Sequence, residues 1–311
     1  MSQKVIKPMR PMAITKELES KLLFPALVSF KLNGFRALTS QDGKFQSKSG
    51  EPFPSRALPS LFPNLPIGVD GELIYGDPTV KDALAKTKAA VGSYQFPNTL
   101  TPKDLTYWLF DSHLVFGDAW ARYQALKELY EHLPIESKAN IRLLEKVKVS
   151  NLSQLKAFNE HALSLGYEGI VGSYIGSMYR FGESKLTDQS SWKMKPVVDE
   201  EFLVTGFEEQ YQNNNPELRT PTGKLKRSTN SANLIPKDTL GALIVYSKRW
   251  GTCRIGTGFT DELRDYIWNN KHLVLGVNVT AEYYPTVSMD KPHALTFKAF
   301  RPDFDMLKPH R

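Results

Sequence analysis

The 311-residue sequence contains one cysteine, no long apolar run and no glycine-rich phosphate loop. The single Cys253 excludes an internal disulfide framework and is typical of a reducing compartment. No apolar stretch approaches the ~18–20 residues of a membrane helix, and the N-terminus lacks a signal-peptide core, so we expect a soluble, cytoplasmic protein with no membrane partner. The absence of a Walker-type loop excludes a P-loop enzyme. The six histidines are dispersed, and none is predicted to bind a metal.

The composition favours a two-domain chain and is compatible with a polyanionic partner. Domains usually contain ~100–200 residues, so a chain of this length is expected to form two. Lys and Arg number 40 against 33 Asp and Glu, which gives a net charge of +7 and a pI near 9.2. Such an excess suits nucleic acid, but many soluble proteins are equally basic.

Residues 1–196 mix helical and strand patterns, which predicts an α+β domain with antiparallel sheets. Strands are predicted near 26–30, 67–74, 107–111, 147–149, 168–172 and 191–195, with a hairpin over 39–53. Helices are predicted over 14–23, 78–90 and 119–133, and from a cap at Asn151 or Ser153 to Leu165.

Residues 197–311 are instead dominated by strand patterns. Candidates lie at 201–207, 240–247, 251–255, 277–284 and 295–300, with one helix at 261–269. Five short strands and a helix predict a β-barrel of the oligonucleotide-binding (OB) type, although the pattern alone does not exclude another β fold.

A long insertion, about residues 210–238, separates the first two strands of the second domain. Between residues 219 and 237 it carries no acidic residue and five basic ones, namely Arg219, Lys224, Lys226, Arg227 and Lys237. Insertions of this length are usually functional or disordered. In a nucleic-acid enzyme a basic insertion would bind backbone phosphates, and otherwise it would be a solvated loop.

The stretch from Ser29 to Arg36 sets a lysine, a glycine and an arginine directly after an apolar strand. Glycine permits the tight turn that this pattern requires. Lys31 would then be held at the mouth of a rigid strand, with the second cation, Arg36, close by. Two solvated cations at a strand end are the alternative.

Further lysines and carboxylates recur on the strands of the first domain. Residues two positions apart on a strand lie on the same face, so Asp70 shares a face with Glu72, and Lys193 with Lys195. Such cations suit a polyphosphate, and the carboxylates can hold a divalent metal or a sugar hydroxyl. A lysine among other cations loses its proton more readily, which is how lysine nucleophiles are activated.

In this order the motifs resemble those of the small ATP-dependent DNA ligases of viruses and phages, in the covalent nucleotidyltransferase superfamily. The segment 31–36 is similar to the nucleophile motif lysine-x-aspartate-glycine-x-arginine. The other matching segments are Ser47-Lys48, Asp70-Gly71-Glu72, Tyr107 to Asp111, Glu168-Gly169, Lys193-Met194-Lys195, Lys226 to Thr229, Ile255 to Phe259, and Arg301 with Asp305. The resemblance covers nearly the whole chain.

The resemblance implies a nucleotidyltransferase (ATP-grasp-like adenylation) domain over 1–196, followed by an OB-fold domain over 197–311 in which the insertion is a latch around the duplex. It implies a monomer that acts on nicked double-stranded DNA in repair or replication, with ATP and Mg²⁺ or Mn²⁺. If the chain is encoded by a phage, the expected location is the host cytoplasm.

The resemblance also assigns roles to residues. Lys31 would attack the α-phosphate of ATP and become a lysyl-adenylate. The nucleotide contacts would be Phe30, Arg36, Lys48, Glu72, Phe110 (stacked on adenine), Glu168, Lys193, Lys195, Arg301 and Asp305, the last two orienting pyrophosphate. The metal ligands would be Glu168, Glu72 and Asp70, and the DNA contacts Lys48, Arg219, Lys224, Lys226 and Arg227.

Four positions depart from the family pattern. Asn33 replaces the aspartate of the nucleophile motif, and Lys48, Glu183 and His293 stand where arginines occur. Two other functions therefore stay open. An mRNA-capping guanylyltransferase or RNA ligase uses the same lysine chemistry, and a preference for GTP would favour the capping enzyme. A catalytically impaired nucleic-acid-binding module, with Asn33 as the lost group, would form no covalent adenylate.

Overall fold

A computed structural model describes residues 7–40, 42–63, 65–219, 225–228, 230–284 and 292–301. The chain divides into two compact units, Met1–Lys195 and Pro196–Arg311. The predicted boundary lay one residue later, after Pro196. Two predicted site residues, Asp305 and Lys224, lie outside the described residues. In the described part of the chain, no helix is long and apolar enough to cross a membrane.

The first unit contains twelve of the described strands and four α-helices. The strands are β1 (Met9–Arg10), β2 (Met12–Ala13), β3 (Ala26–Phe30), β4 (Phe35–Thr39), β5 (Phe45–Ser47), β6 (Val69–Tyr75), β7 (Leu105–Ser112), β8 (Ile141–Leu143), β9 (Val147–Val149), β10 (Ile170–Tyr174), β11 (Gly182–Glu183) and β12 (Trp192–Met194). The helices are α1 (Leu58–Leu61), α2 (Ala83–Gly92), α3 (Ala119–Glu131) and α4 (Leu152–Ser164).

Two five-stranded sheets form the body of this unit, with strand orders β2-β12-β10-β3-β9 and β5-β4-β6-β7-β8. Neighbouring strands are antiparallel, as predicted, except for the parallel pairs β2–β12 and β7–β8. The first sheet packs against α4, since Leu155 and Ala162 share a core with Trp192 and Val28. The second sheet packs against α2 and α3. A separate parallel pair, β1 with β11, joins the two ends of the unit's sequence.

The predicted helix over 14–23 is wrong. The backbone N–H of Ile14 donates to Lys193 O (2.9 Å) and so continues the pairing of β2 with β12, and only a 3₁₀ turn, Glu19–Lys21, follows. The apolar positions Ile14 and Leu22 are buried in the core beneath the first sheet. Their helical spacing therefore arises from an extended segment and a turn that both face this core.

The predicted helix over 78–90 begins later, at Ala83. The Asp77 carboxylate accepts from both the backbone N–H and the hydroxyl of Thr79 (2.8 and 2.7 Å), which holds this segment in a turn. The helix that begins at Leu152 does match the prediction, because the side chain of Asn151 accepts from Gln154 N–H and caps it.

The described residues of the second unit form a five-stranded antiparallel sheet, two helices and a small hairpin. Its elements are β13 (Val198–Asn213), β14 (Glu217–Arg219), β15 (Leu225–Arg227), β16 (Leu234–Ser247), β17 (Gly251–Ile255), β18 (Asn278–Tyr284), β19 (His293–Phe300), α5 (Asp261–Asn269) and α6 (Lys271–Val274). The strand order is β17-β16-β13-β18-β19. The predicted helix over 261–269 is confirmed, with Thr260 as its side-chain cap. The buried core includes Phe202, Val245, Ile267 and Phe297.

The described part of the insertion continues the pairing of this sheet. Strands β13 and β16 remain paired as far as Asn213 and Leu234, well past the predicted strand ends at 207 and 240. Beyond this point β14 pairs with β15. The buried side chain of Asn215 fastens the base of this hairpin, because its amide donates to Ser228 O (3.1 Å) and Asn230 O (2.8 Å).

Candidate functional site

Three neighbouring strands of the first sheet bring sequence-distant residues to one end of the sheet. Ile170 on β10 pairs with Phe30 on β3 and with Met194 on β12. Lys31 therefore follows β3 at the place where Glu168 precedes β10 and Lys195 follows β12. The backbone N–H of Lys31 donates to Gly169 O (2.8 Å), which extends the pairing of the strands past Phe30 and fixes the base of the lysine.

Gly169 permits this close approach. Its φ is +129°, a conformation that side-chain-bearing residues rarely adopt, and a Cβ added there would overlap the carbonyl oxygen of Met194. The turn that presents Glu168 can thus lie directly against the end of β12. Any larger residue at position 169 would separate Glu168 from Lys195.

Lys31, Glu168 and Lys195 form one ionic cluster. The Nζ of Lys31 donates to Oε2 of Glu168 and to Leu32 O (3.2 Å). The Nζ of Lys195 lies 3.2 Å from the same Oε2 atom. The Glu168 side chain is only 12% exposed, so one nearly buried carboxylate serves two ammonium groups.

The electrostatics of the cluster reflect this crowding. Burial alone would raise the pKa of Glu168, but the charges and hydrogen bonds of Lys31 and Lys195 outweigh it and lower that pKa below its ordinary value. Burial, followed by the charge of Lys31, lowers the pKa of Lys195 and of Lys193. The site thus disfavours additional positive charge and is suited to accept an anion.

Glu72 lies in the middle of β6, opposite Trp108 on β7. Its Oε1 accepts from the backbone N–H of Gly34 (3.2 Å). Burial raises the pKa of Glu72 to about 7, although Lys31 and Arg36 act in the opposite direction. This carboxyl is therefore half-protonated near neutral pH and can donate or accept a hydrogen bond.

Asp70 binds Arg36. The Nε of Arg36 donates to Oδ1 of Asp70 (2.8 Å), a second guanidinium nitrogen pairs with Oδ2, and the Tyr179 hydroxyl also donates to Oδ2 (2.9 Å). Asp70 is 0% exposed. The role of Asp70 as a metal ligand stays a prediction, and in the structure its oxygens are buried and bound by these two side chains.

Phe110 lies beside these groups on β7. The guanidinium of Arg36 is 5.2 Å from the centroid of its ring, at cation–π distance. An apolar cluster adjoins the charged residues and consists of Leu32, Ile74, Leu144, Trp108, Phe110 and Tyr167. An aromatic surface next to lysines suits a nucleotide, since a base can stack while the phosphates meet the cations.

Two predicted contacts have different surroundings. The ring of Phe30 stacks between Phe158 and Tyr167, at centroid distances of 5.2 and 4.3 Å, so packing against α4 occupies it and only its backbone adjoins Lys31. Lys48 is exposed in the turn after β5, and its charge contributes to the lowered pKa of Lys193.

The remaining predicted residues lie in the second unit. Arg301 forms an ion pair with Glu201, and Arg227 pairs with Glu217 (2.7 Å) and donates to Asn213 O (2.6 Å). Arg219 and Lys226 belong to the paired strands β14 and β15. The acidic partner of Arg227 lies just before the basic run in the insertion.

Two residues of the site, Tyr179 and Trp108, are not predicted from the sequence. Tyr179 contacts Asp70 across 109 residues of sequence, and Trp108 belongs to an aromatic strand that reads as core. Among the described residues, no three or more His, Cys, Asp or Glu side chains cluster as metal ligands. The cluster itself contains the Glu168 carboxylate, and Glu72 lies close enough for the charge of Lys31 to act on its pKa.

Comparison with solved structures shows that the chain shares its fold with ATP-dependent DNA ligases, which confirms the predicted resemblance at the level of the fold. A Lig E DNA ligase matches with a TM-score of 0.68 and 20% identity, over 94% of this chain and 99% of that one. The adenylate form of Chlorella virus DNA ligase matches with a TM-score of 0.51 and 24% identity, over 96% and 99% of the two chains.

The ATP-dependent DNA ligase of bacteriophage T7, in complex with ATP, matches with a TM-score of 0.51 and 12% identity, over 95% of this chain and 98% of that one. No protein-family model and no curated protein matches the sequence.

Proposed function

We propose that the chain is an ATP-dependent DNA ligase that seals nicks between 3′-hydroxyl and 5′-phosphate ends of duplex DNA, in repair or replication. The observation that carries the proposal is the cluster of Lys31, Glu168 and Lys195 at one end of a sheet, beside an aromatic surface. The fold shared with ATP-dependent DNA ligases supports it.

In the first step the Nζ of Lys31 attacks the α-phosphorus of ATP. A phosphorus–nitrogen bond forms, the bond to the bridging oxygen breaks, and pyrophosphate leaves with the electron pair. The ammonium group must first lose a proton, and Glu168 is the acceptor in contact with it. ATP phosphates compete with Glu168 for Lys31 and Lys195, and a carboxylate that loses its counter-cations binds a proton more readily.

In the later steps the AMP passes from Lys31 to the 5′-phosphate of the nick, and the 3′-hydroxyl then displaces AMP. The protein contributes positioning and charge neutralisation. In our proposal Lys193 and Lys195 neutralise the α-phosphate and Phe110 stacks on the base. The further contacts are Glu72 with the ribose, Lys48 with the 5′-phosphate of the nick, and Arg301 and Asp305 with pyrophosphate.

Magnesium fits the donor set of this site. The ion usually takes one or two protein carboxylates and completes its shell with water and substrate phosphates. Glu168 and Glu72 are carboxylates of this kind beside the proposed phosphate position. When bound, the ion would supply charge neutralisation at the phosphates.

We further propose that the second unit is an OB-fold barrel whose insertion binds duplex DNA. The Phe297 N–H donates to Thr257 O (2.9 Å), and Thr257 forms a bridge with Thr296, so the segment after β17 contacts β19 at the other edge of the sheet. This contact between the two edges supports closure of the sheet into a barrel. The basic residues of the insertion support phosphate binding.

The decisive experiment is intact-mass analysis after incubation with ATP and Mg²⁺. The protein is first stripped of any bound AMP with pyrophosphate and Mg²⁺. We expect the native chain to gain one AMP and Lys31→Ala to gain none. Lys148→Ala is the matched control, because Lys148 is an exposed lysine on β9 of the same sheet and is expected to leave the reaction unchanged.

The other outcomes distinguish the rival functions. Gain of GMP in place of AMP would favour a capping-type guanylyltransferase. No adduct with either nucleotide would contradict the proposal and favour a nucleic-acid-binding module. An adenylated protein that fails to join a nicked DNA duplex but joins RNA would favour an RNA ligase.

A further inference from the structure

A closed ring of hydrogen bonds lies directly behind the candidate nucleotide site. The Tyr179 hydroxyl donates to Oδ2 of Asp70 (2.9 Å) and accepts from the backbone N–H of Met9 (3.2 Å). Asp70 binds Arg36, and Nη1 of Arg36 donates to the carbonyl oxygen of Met9. Each group thus bonds to two others of the four, and the hydroxyl uses its single proton on the carboxylate.

The ring is shielded from water. Asp70 is 0% exposed, and the Arg36 side chain is 13% exposed. Burial, together with the Asp70 charge, raises the pKa of Tyr179, so its hydroxyl keeps its proton throughout the physiological range. In such surroundings charge-assisted hydrogen bonds are strong and directional, and the guanidinium is therefore held in one orientation.

The strand pair β1–β11 brings two members of the hydrogen-bond ring, Met9 and Tyr179, close together. Met9 pairs with Gly182, three residues after Tyr179, and Ser184 N–H donates to Arg10 O (3.0 Å). The backbone of Met9 is thus bound by Arg36 and Tyr179, and β11 holds the residues on either side of it, since Gly182 N–H donates to Pro8 O (3.3 Å). Strand β1 therefore contributes to the structure of the candidate nucleotide site.

The guanidinium connects this ring to the aromatic surface. It lies 5.2 Å from the centroid of Phe110, whose ring belongs to the same apolar cluster as Trp108 and Tyr167. A cation fixed beside an aromatic ring restricts the tilt of that ring. Loss of the Tyr179 hydroxyl would leave one oxygen of Asp70 and the N–H of Met9 without this partner, and Arg36 would gain freedom.

We propose that Tyr179 and the backbone of Met9 are positioning elements of the nucleotide site, which hold Asp70 and Arg36 and thereby fix the ring of Phe110 on which the base of ATP stacks. This inference rests on the proposed function, because it takes ATP as the ligand. It concerns residues that contact no substrate themselves.

Tyr179→Phe is the matching variant, because it removes the hydroxyl and keeps the ring beside Arg122 and Phe181. Tyr75→Phe is the control. The Tyr75 hydroxyl likewise donates to an aspartate, Asp104 (3.3 Å), and accepts from a backbone N–H, that of Thr101 (2.8 Å). Each variant loses a tyrosine hydroxyl that bonds to an aspartate and to a backbone N–H. Only Tyr179→Phe removes a member of the hydrogen-bond ring.

The test is calorimetric titration of full-length protein with ATP, in the Lys31→Ala background so that no covalent capture intervenes. We expect Tyr179→Phe to raise the Kd about tenfold and Tyr75→Phe to leave it unchanged. In the reactive protein, Tyr179→Phe should raise the KM for ATP and leave the adenylation rate at saturating ATP within about twofold. In a Phe110→Ala background, Tyr179→Phe should have no further effect on Kd.

An unchanged Kd in Tyr179→Phe, or an equal rise in Tyr75→Phe, would overturn the inference while lysyl-adenylate formation by the native chain left the proposed function standing. An effect of Tyr179→Phe that persists in Phe110→Ala would overturn the route through Phe110. If the native chain forms no adenylate and Lys31→Ala binds no ATP, both proposals fail.

Discussion

Glu72 is a single side chain whose titration is expected to affect the stability of the whole first unit. Its pKa is raised to about 7 in the folded protein by burial, against an ordinary value of 4.5. Between these values the folded state holds the proton and the unfolded state does not. The contribution to stability is therefore fully present below about pH 4.5 and is lost as pH rises through about 7.

We predict that Glu72→Gln removes this dependence, because glutamine resembles the protonated acid and can still accept from Gly34. The measurement is the free energy of unfolding from urea titrations between pH 4.5 and 8. The native chain should lose on the order of 2 kcal/mol more than the variant as pH rises. Parallel pH profiles for the two proteins would contradict the prediction.

A candidate site residue can be predicted from the sequence where the residues next to it form a recognisable strand or turn pattern. Lys31, Glu72 and Glu168 each stand at a turn or on a strand that the residue order indicates. The link between Tyr179 and Asp70 has no such signal, since it joins positions 109 residues apart by one hydroxyl. For the same reason the sequence shows the Asp70 carboxylate but not its bond to Arg36.

At the scale of elements, helix α3 is tied to the second sheet by a buried ion pair. Arg122, which is 1% exposed, donates from Nε to Asp111 on β7 (2.9 Å) and from Nη1 to Gly117 O and Ser177 O (both 3.0 Å). These bonds connect the helix, the loop before it and the segment after β10. Removal of the arginine leaves a buried carboxylate without its counter-charge.

We predict that Arg122→Ala destabilises the protein by about 3–5 kcal/mol. Lys127→Ala, at an exposed position on the same helix, should change stability by less than about 0.5 kcal/mol. Urea denaturation followed by circular dichroism measures both. A loss in Arg122→Ala no greater than that in Lys127→Ala would mean that the ion pair adds nothing net to stability.

Element types could be predicted where one face alternates or repeats over many residues, as in α3 and the five strands of the second unit. The prediction of a helix over 14–23 was wrong because backbone pairing between distant segments outweighed the apolar spacing. Ile14 N–H bonds to Lys193 O, far along the chain. The ends of β13 and β16 were missed because most of their outer residues are polar and, except for Thr239, none is buried. Such residues pair through the backbone, which leaves no hydrophobic pattern.

At the scale of the whole molecule, the net charge of +7 and the basic insertion are expected to act together on DNA. Asn213 and Leu234 are register partners, so the segment 214–233 can be replaced by Asn-Gly as a two-residue turn. We predict that this variant forms the Lys31 adenylate at the native rate and binds nicked duplex more weakly.

Binding measured from about 50 to 200 mM salt is the test. The logarithm of affinity should fall less steeply with the logarithm of salt concentration in the variant, by about one unit of slope for each DNA phosphate that the shortened protein no longer neutralises. Loss of adenylation would show instead that the insertion supports the first chemical step. An unchanged slope would exclude the insertion from the DNA interface.

The order in which the strands of the first sheet appear along the chain has a consequence for synthesis. The ionic cluster takes Lys31 from the end of β3, the second strand of this sheet to be made, and Lys195 from the residue after β12, the last. At ribosomal rates of about 5–20 residues per second, roughly 10–30 s separate the two lysines. A nascent chain therefore carries Lys31, the proposed nucleophile, long before Glu168, Lys195 and the strands that hold them, and under the proposed function nucleotide capture would begin only when the whole first unit has emerged.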